Sequence, residues 1–263
     1  PLERFASWGK NVLKGDFGTS ITYKQQVSTV ILERFKYSIV LMLVAWCFSG
    51  IVGFLIGVLA GIYKGSLFDK IVKIFCLALQ SAPTFWIGLL ILSLFSVYLG
   101  WFPIGFAVPM GKLSLEITIW DRIYHLILPA LTLSILGISR VTLFTRQKLI
   151  EILNSDFILF AKARGENTRQ LVIRHGLRNI ALPAITEQFA SFSELFGGIA
   201  LAETVFSYPG LGTATTAAGL NGDVPLLLGI AIFSAIFVFV GNFIANILYG
   251  VLDPRLKEGK YNG

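Results

Sequence analysis

Residues 37–63 read YSIVLMLVAWCFSGIVGFLIGVLAGIY, a run without a single charged side chain. A helix needs about 20 apolar residues to cross the hydrocarbon core of a bilayer, so this stretch is long enough to span one. It lacks the period-2 alternation of a barrel strand, which leaves a helix as the element that satisfies its own backbone. Four further segments share this character. Residues 74–98 carry no charge, 126–145 carry only Arg140, 179–202 carry Glu187 and Glu194, and 225–250 carry none, with Asn242 and Asn246 as polar interruptions. The whole chain is 55% hydrophobic and 14% charged, with mean hydropathy +0.74, where a soluble domain carries roughly a quarter charged residues. The expected fold is all-α: a polytopic transmembrane helical bundle with five visible spans.

The net charge of +7 does not point to nucleic acid, because the basic residues lie between apolar runs. The 64–73 connection carries Lys64, Lys70 and Lys73, and the 146–178 connection carries seven Lys or Arg against three acids. The tail adds Arg255, Lys257 and Lys260, whereas the 99–124 and 204–224 connections hold only Lys112 and Arg122. By the positive-inside rule, 64–73, the 146–178 loop and the C-terminus are expected in the cytoplasm of a multi-pass protein of the cell membrane. Residues 1–36 then form an external N-terminal segment. A chain reaching that side needs a preceding helix, so we expect a missing first span and six spans in the intact chain, with the transmembrane domain covering 37–263. Cys47 and Cys76 fall inside apolar runs and fit neither a disulfide framework nor a CxxC metal site.

Gly53, Gly57 and Gly61 repeat every fourth residue, a spacing that lets helices approach closely in lipid. Pro83 interrupts the 74–98 run near its middle and is expected to kink it, shaping a cavity or fitting a neighbour. In the 146–178 loop, Asp156 can cap a helix over FILFAKAR that Gly165 ends. A second basic run from Thr168 to Arg178 leads into the next span, with Pro183 in its first turns. This helix–turn–helix offers apolar knobs and a basic rim, as a docking surface, an interfacial lipid-binding helix or a topology anchor would. Glu187, Ser191 and Glu194 are expected on one face of one helix, at a cost of about 2.5–3.5 kcal/mol for a mid-bilayer charge. Arg140 is the expected partner of Glu187; Glu194, with no obvious cation at its depth, is the stronger candidate to line a path. Tyr208, Pro209, Gly210 and Gly212 form an external loop, with Pro-Gly as a type II turn signal.

The run DFILFAKARGENTRQLVIRHGLRNIALP at 156–183 resembles the cytoplasmic coupling (EAA) loop of ABC importer permeases, in the longer form of the dipeptide, oligopeptide and nickel group. GDFGTSI at 15–21, APTFWIGLLILSLFSVYLGWFP at 82–103, LILPALTL at 126–133, ETVFSYPGLG at 203–212 and DPRLKEG at 253–259 resemble the same group in the same order. Leu159 and Phe160 stand where the motif has Glu-Ala. The resemblance implies a type I ABC importer permease. Asp156, Ala161, Ala163, Gly165, His175, Arg178, Asn179 and Pro183 would then couple it to the ATPase, while Glu187, Ser191, Glu194 and Pro83 would be path candidates. It also implies partners: a second homologous permease, two ABC ATPase subunits and an extracytoplasmic substrate-binding protein, within the lipid bilayer. ATP and Mg would belong to the ATPase subunits and no cofactor to this chain.

No GxxxxGK[ST], HExxH or GxSxG pattern occurs, so the expectation is a transport subunit rather than an enzyme. His175 has no partner at ligand spacing and reads as a helix-surface contact. Dipeptide or oligopeptide import is the preferred substrate class, with nickel or metal-chelate import second. An ion-gradient-driven secondary transporter is the alternative from another class.

Overall fold

The computed structural model describes residues 9–113 and 115–252, so the expectations for 253–263 lie outside the described residues. Among the described residues, a short helical stretch at 9–13 is followed in order by α1 (Val27–Ile62), α2 (Leu67–Ser81), α3 (Thr84–Ile91), α4 (Ile119–Leu153), α5 (Asp156–Ala163), α6 (Thr168–Gln170), α7 (Leu177–Ala190), α8 (Phe192–Val205), α9 (Leu211–Leu220) and α10 (Val224–Leu252). Wider π-helical turns extend α3 through Leu92–Tyr98 and join α6 to α7 through Leu171–Gly176. Among the described residues there is no strand, only an isolated bridge between Thr19 and Gln26.

The five expected spans need correction. Among the described residues, three helices, α1, α4 and α10, are long and apolar enough to cross a membrane, and α2 with α3 makes a fourth if that broken pair is one span. The break falls at Ala82–Pro83, where Ala82 is extended and its N–H closes back on Leu79 O. Pro83 therefore ends one helix rather than bending a continuous one, because the residue before a proline is driven out of the helical region. The expected helix over 179–202 is two helices of 14 residues, meeting at Ser191. Each is only about 21 Å long, short of the hydrocarbon thickness. Pro183 lies inside α7, well beyond the first turns, because the helical path already begins at Thr168. The helix expected from residue 37 starts at Val27, so Glu33, Arg34 and Lys36 belong to α1 and the boundary at 36 falls within it.

The chain forms two compact units. One comprises 9–43, 84–132 and 196–240, with Val27, Val30 and Ile31 of α1 packed on Leu211, Ala214 and Leu226. Gly229 admits this packing, since a Cβ there would sit 2.5 Å from Val27 Cγ1. The 15–26 segment is tied down by Asp223, which accepts from Ser20 Oγ at 2.6 Å and from Thr22 N–H at 2.9 Å. Asp223 is fully buried, yet these bonds and the Leu226 N–H satisfy it.

The second unit comprises 44–83, 133–195 and 241–252. Its organising feature is the glycine ladder. A Cβ on Gly53 would lie 2.8 Å from Val141 Cβ, one on Gly57 2.7 Å from Thr142 O, and one on Gly61 2.9 Å from Leu149 Cδ2. The ladder thus serves close backbone approach between α1 and α4, as its spacing implied. Thr142 Oγ1 uses that approach to donate to Gly53 O at 3.2 Å. Leu149 is fully buried, a burial that contributes about 2 kcal/mol.

Candidate functional site: the basic elbow and the helix above it

The elbow lies in the second unit and is built from two helix termini that its own residues define. Ser155, not Asp156, is the N-cap of α5, and Asp156 occupies the first helical position. Its exposed carboxylate there still favours the positive end of the helix. Gly165 has φ +90, a left-handed conformation that only glycine adopts cheaply. It completes a Schellman ending: Glu166 N–H reaches Ala161 O at 3.3 Å and Gly165 N–H reaches Lys162 O at 2.9 Å. Two residues later Asn167 caps α6, and Gln170 returns the bond to the Asn167 N–H at 2.9 Å. That capping box lay in the sequence as Asn-x-x-Gln and was missed, because the Gly165 signal drew the boundary first.

Between these termini the elbow has its own small core. Ile158, Ala161 and Leu171 are buried together, with Ile152 and Leu153 packed against them. His175 braces the turn: its Nε2 lies 3.1 Å from Glu166 Oε2, and its ring meets Phe157 edge-on at 6.4 Å. Asn179 Nδ2 donates to His175 O at 2.7 Å. Of the coupling candidates, Asp156, Ala163, Gly165, Arg178 and Asn179 are exposed, His175 and Pro183 are half-buried, and Ala161 belongs to the core. Leu159 and Phe160, at the departure from the motif, are 57% and 76% exposed. With Phe157 and Ile173 they form apolar knobs beside the exposed Lys162, Arg164, Arg169, Arg174 and Arg178.

Two contacts missed by sequence reasoning hold the elbow to its unit. Gly176 approaches so closely that a Cβ there would lie 2.9 Å from Leu149 Cδ1. Arg146 forms a bidentate pair with Asp69, its Nη2 lying 2.7 Å from Oδ2. Asp69 is 2% exposed and also accepts from Gly65 N–H at 2.8 Å. The sequence reading counts Arg146 among the charges of the 146–178 connection and gives Asp69 no role, because a partner 77 positions away leaves no local pattern.

The same helical path continues from the elbow to an apolar cavity of about 550 Å³, walled by Ile51, Phe54, Ala184, Ile185 and Phe189. Its polar edge is Gln188, whose Nε2 donates to Trp46 O at 2.6 Å, while Trp46 Nε1 donates to Gln188 O at 2.8 Å. Gln188 Oε1 is buried without a partner. Gly50 makes room for this side chain, since a Cβ there would lie 3.0 Å from its Cδ.

The carboxylates are placed differently from expectation. Arg140 pairs with Glu194, not with Glu187. Ser191, between α7 and α8, keeps a right-handed helical backbone, with its N–H on Glu187 O at 3.1 Å and its own O accepting from Leu195 N–H at 3.3 Å. Both members of that pair are substantially exposed, at 44% and 62%. Glu187 is half-buried and has no ion pair among the described residues. Ser191 Oγ donates to Gln188 O at 2.8 Å. The 208–212 loop is not a type II turn either. Gly210 has φ −95 and is the N-cap of α9, with its N–H on Tyr208 O at 2.7 Å. Glycine is needed there for space, because a Cβ would fall 1.9 Å from the Glu203 Oε1 carboxylate oxygen. Buried Glu203 accepts from Ser38 Oγ and from Gly212 N–H, holding the start of α9.

Residues 53–258 match the family model described as the binding-protein-dependent transport system inner membrane component. The chain belongs to that family. As a permease of this family it resembles the oligopeptide transport system permease AppB of Bacillus subtilis, at 36% identity over 97% of this chain and 80% of that protein. It resembles the di/tripeptide permease DppB of Pseudomonas aeruginosa at 34% identity over 97% and 81%, and the Escherichia coli dipeptide permease DppB at 32% over 96% and 79%. An inward-facing structure of the MetNI methionine ABC transporter matches with TM-score 0.64 at 16% identity, over 85% of this chain and 96% of that one. The fold is thus that of an ABC importer permease, in the inner membrane. Family membership leaves the ion-gradient carrier without support.

Proposed function

We propose that this permease lines the path of a dipeptide or oligopeptide importer and receives the ATP-driven stroke through its 156–183 elbow. The observation that carries the reading is the elbow itself. Exposed apolar Phe157, Leu159 and Phe160 beside a basic rim offer a surface for another subunit. The helical path from Thr168 to Ala190 runs from that surface to the Gln188 cavity in about 35 Å. A push on the elbow therefore reaches the middle of the unit without crossing a loop. The peptide substrate class rests on the named specificities of the relatives.

In this reading two ATPase subunits, a second related permease and an extracytoplasmic receptor complete the assembly, with 146–178 and the C-terminus on the cytoplasmic side. Arg140 and Glu194 line the path as a pair, so the path presents a dipole rather than a lone carboxylate. The proposal is tested by purifying the chain from its native membrane. An ATPase pair should accompany it, and reconstituted vesicles should hydrolyse ATP faster with peptide-loaded receptor. A chain that purifies without ATPase subunits and moves peptide on an ion gradient would contradict it.

A further inference from the structure

We infer that a small cavity in the first unit, between α1, α4 and the loop before α9, binds the free carboxylate of a peptide in transit. The cavity measures about 350 Å³ and carries Lys36 and Arg122 with Tyr37 and Tyr208. Its remaining wall is apolar, chiefly Val40 and Leu126. That volume lies at the lower end of small-ligand sites, so it suits a dipeptide-sized body better than a protein surface.

The electrostatics select the ligand's charge. Lys36 and Arg122 are exposed, and neither has an ion pair among the described residues. Two acids close to them in sequence or space, Asp121 and Glu203, are engaged elsewhere. Asp121, next to Arg122, is held by Lys112 Nζ at 2.9 Å and by Thr118 N–H and Oγ1 at 2.9 and 2.8 Å. Glu203 is turned inward to Ser38 and Gly212. Glu33, one turn from Lys36, makes no ion pair with it. Two uncompensated cations facing one concavity attract an anion, and the guanidinium matches a carboxylate in two-point geometry.

The tyrosines supply shape. Tyr37 and Tyr208 meet edge-on at 6.0 Å. Burial, with Tyr37 and Glu203 nearby, pushes the Tyr208 phenol up to about 12, while the Arg122 charge acts in the opposite sense. Tyr208 therefore remains a neutral phenol, and it lines the same cavity as Arg122. A peptide carboxylate seated here would leave its last side chain against Val40 and Leu126.

The inference rests on the peptide-import reading, and the two fail separately. The complete importer with its receptor is reconstituted in vesicles, and uptake of a dipeptide acid is compared with that of its C-terminal amide. Wild type is set beside Lys36→Gln/Arg122→Gln and the charge-keeping Lys36→Arg/Arg122→Lys. The receptor's own preference is common to all and cancels when each variant's acid-to-amide ratio is divided by that of wild type. The neutral variant should lower that ratio about tenfold, the loss expected for one charge-assisted contact, and the charge-keeping variant should restore most of it. A photoreactive dipeptide acid should label Tyr37 or Tyr208. An unchanged ratio, or labelling confined to other positions, would overturn the site while peptide import stands. Equal loss of both substrates together with receptor-stimulated ATP hydrolysis would make the pocket a receptor contact and overturn it too. A wild-type importer that takes up no peptide would overturn the import reading as well.

Discussion

Leu149 lies between two glycines of different helices: Gly61 of α1 faces its Cδ2, and Gly176, at the end of the elbow's π turn, faces its Cδ1, each with room for no more than a hydrogen. One buried leucine thus registers α1, α4 and the elbow together. Movement of the elbow has to carry Leu149 with it or break that contact. In the proposed coupling, these two glycines would be the joint through which the elbow meets α1 and α4.

The backbone contacts along the ladder should be the least tolerant. Gly57→Ala puts a Cβ 2.7 Å from a backbone oxygen and from Thr145 Cβ, which cannot rotate away. A loss of about 1–3 kcal/mol is expected for such overpacking. Gly176→Ala meets only the end of a leucine side chain and should cost less. Gly219→Ala, with nothing within 4 Å, should be neutral or stabilising. Thermal unfolding of the purified complex in detergent gives the order.

Asp69 and Arg146 should behave as a unit. Their side chains are 3% and 20% exposed, so removing either strands the other. Asp69→Ala or Arg146→Ala should cost about 3 kcal/mol, whereas the double variant should cost well under the sum. Additive losses in a double-mutant cycle would mean the pair is not coupled.

Asp223 makes the first unit sensitive to acid. Burial pushes its carboxyl up, but the bonds from Ser20, Thr22 and Leu226 outweigh this and hold it below its ordinary value of 3.8. A carboxyl depressed in the folded state contributes stability that is complete above its unfolded value and is lost as pH falls through the lower folded one. Protection of the 15–26 segment against hydrogen exchange should therefore be unchanged from pH 7 to 5 and fall only below about 4. Asp223→Asn should remove protection at all of these values.

Glu194 and Arg140 are exposed enough that their attraction is weak. Glu194→Gln should change stability by less than about 1 kcal/mol. Uptake should nevertheless fall, if the pair lines the path. Normal uptake by this variant would take Glu194 out of the path.

Much of this protein is legible in its sequence because lipid imposes simple rules. Charge-free runs marked most of α1 and α10, the four-residue glycine spacing signalled a close helix approach without naming α4 as the partner, and Gly165 marked the elbow's turn. What failed was long-range or geometric. Nothing local distinguishes Asp69 from a loop charge, since its partner is 77 residues on. Hydropathy cannot see the break at Ser191, because a broken and an unbroken helix have the same composition, and it cannot choose which of the two carboxylates Arg140 meets. The Pro-Gly pair at 209–210 signalled a turn by conformation, but Gly210 is there for the space that Glu203 takes. Buried Gln188 escaped notice because one amide among apolar residues has no signature until its partners are known.

Whether the elbow seats on an ATPase subunit, as proposed, is read by a photo-crosslinking residue at position 160. Phe160 is 76% exposed, so its replacement should leave stability within about 0.5 kcal/mol. In the assembled importer, irradiation should join the chain to an ATPase subunit, with a yield that changes on adding ATP. Crosslinks to lipid alone, with ATPase subunits present and active, would contradict the account.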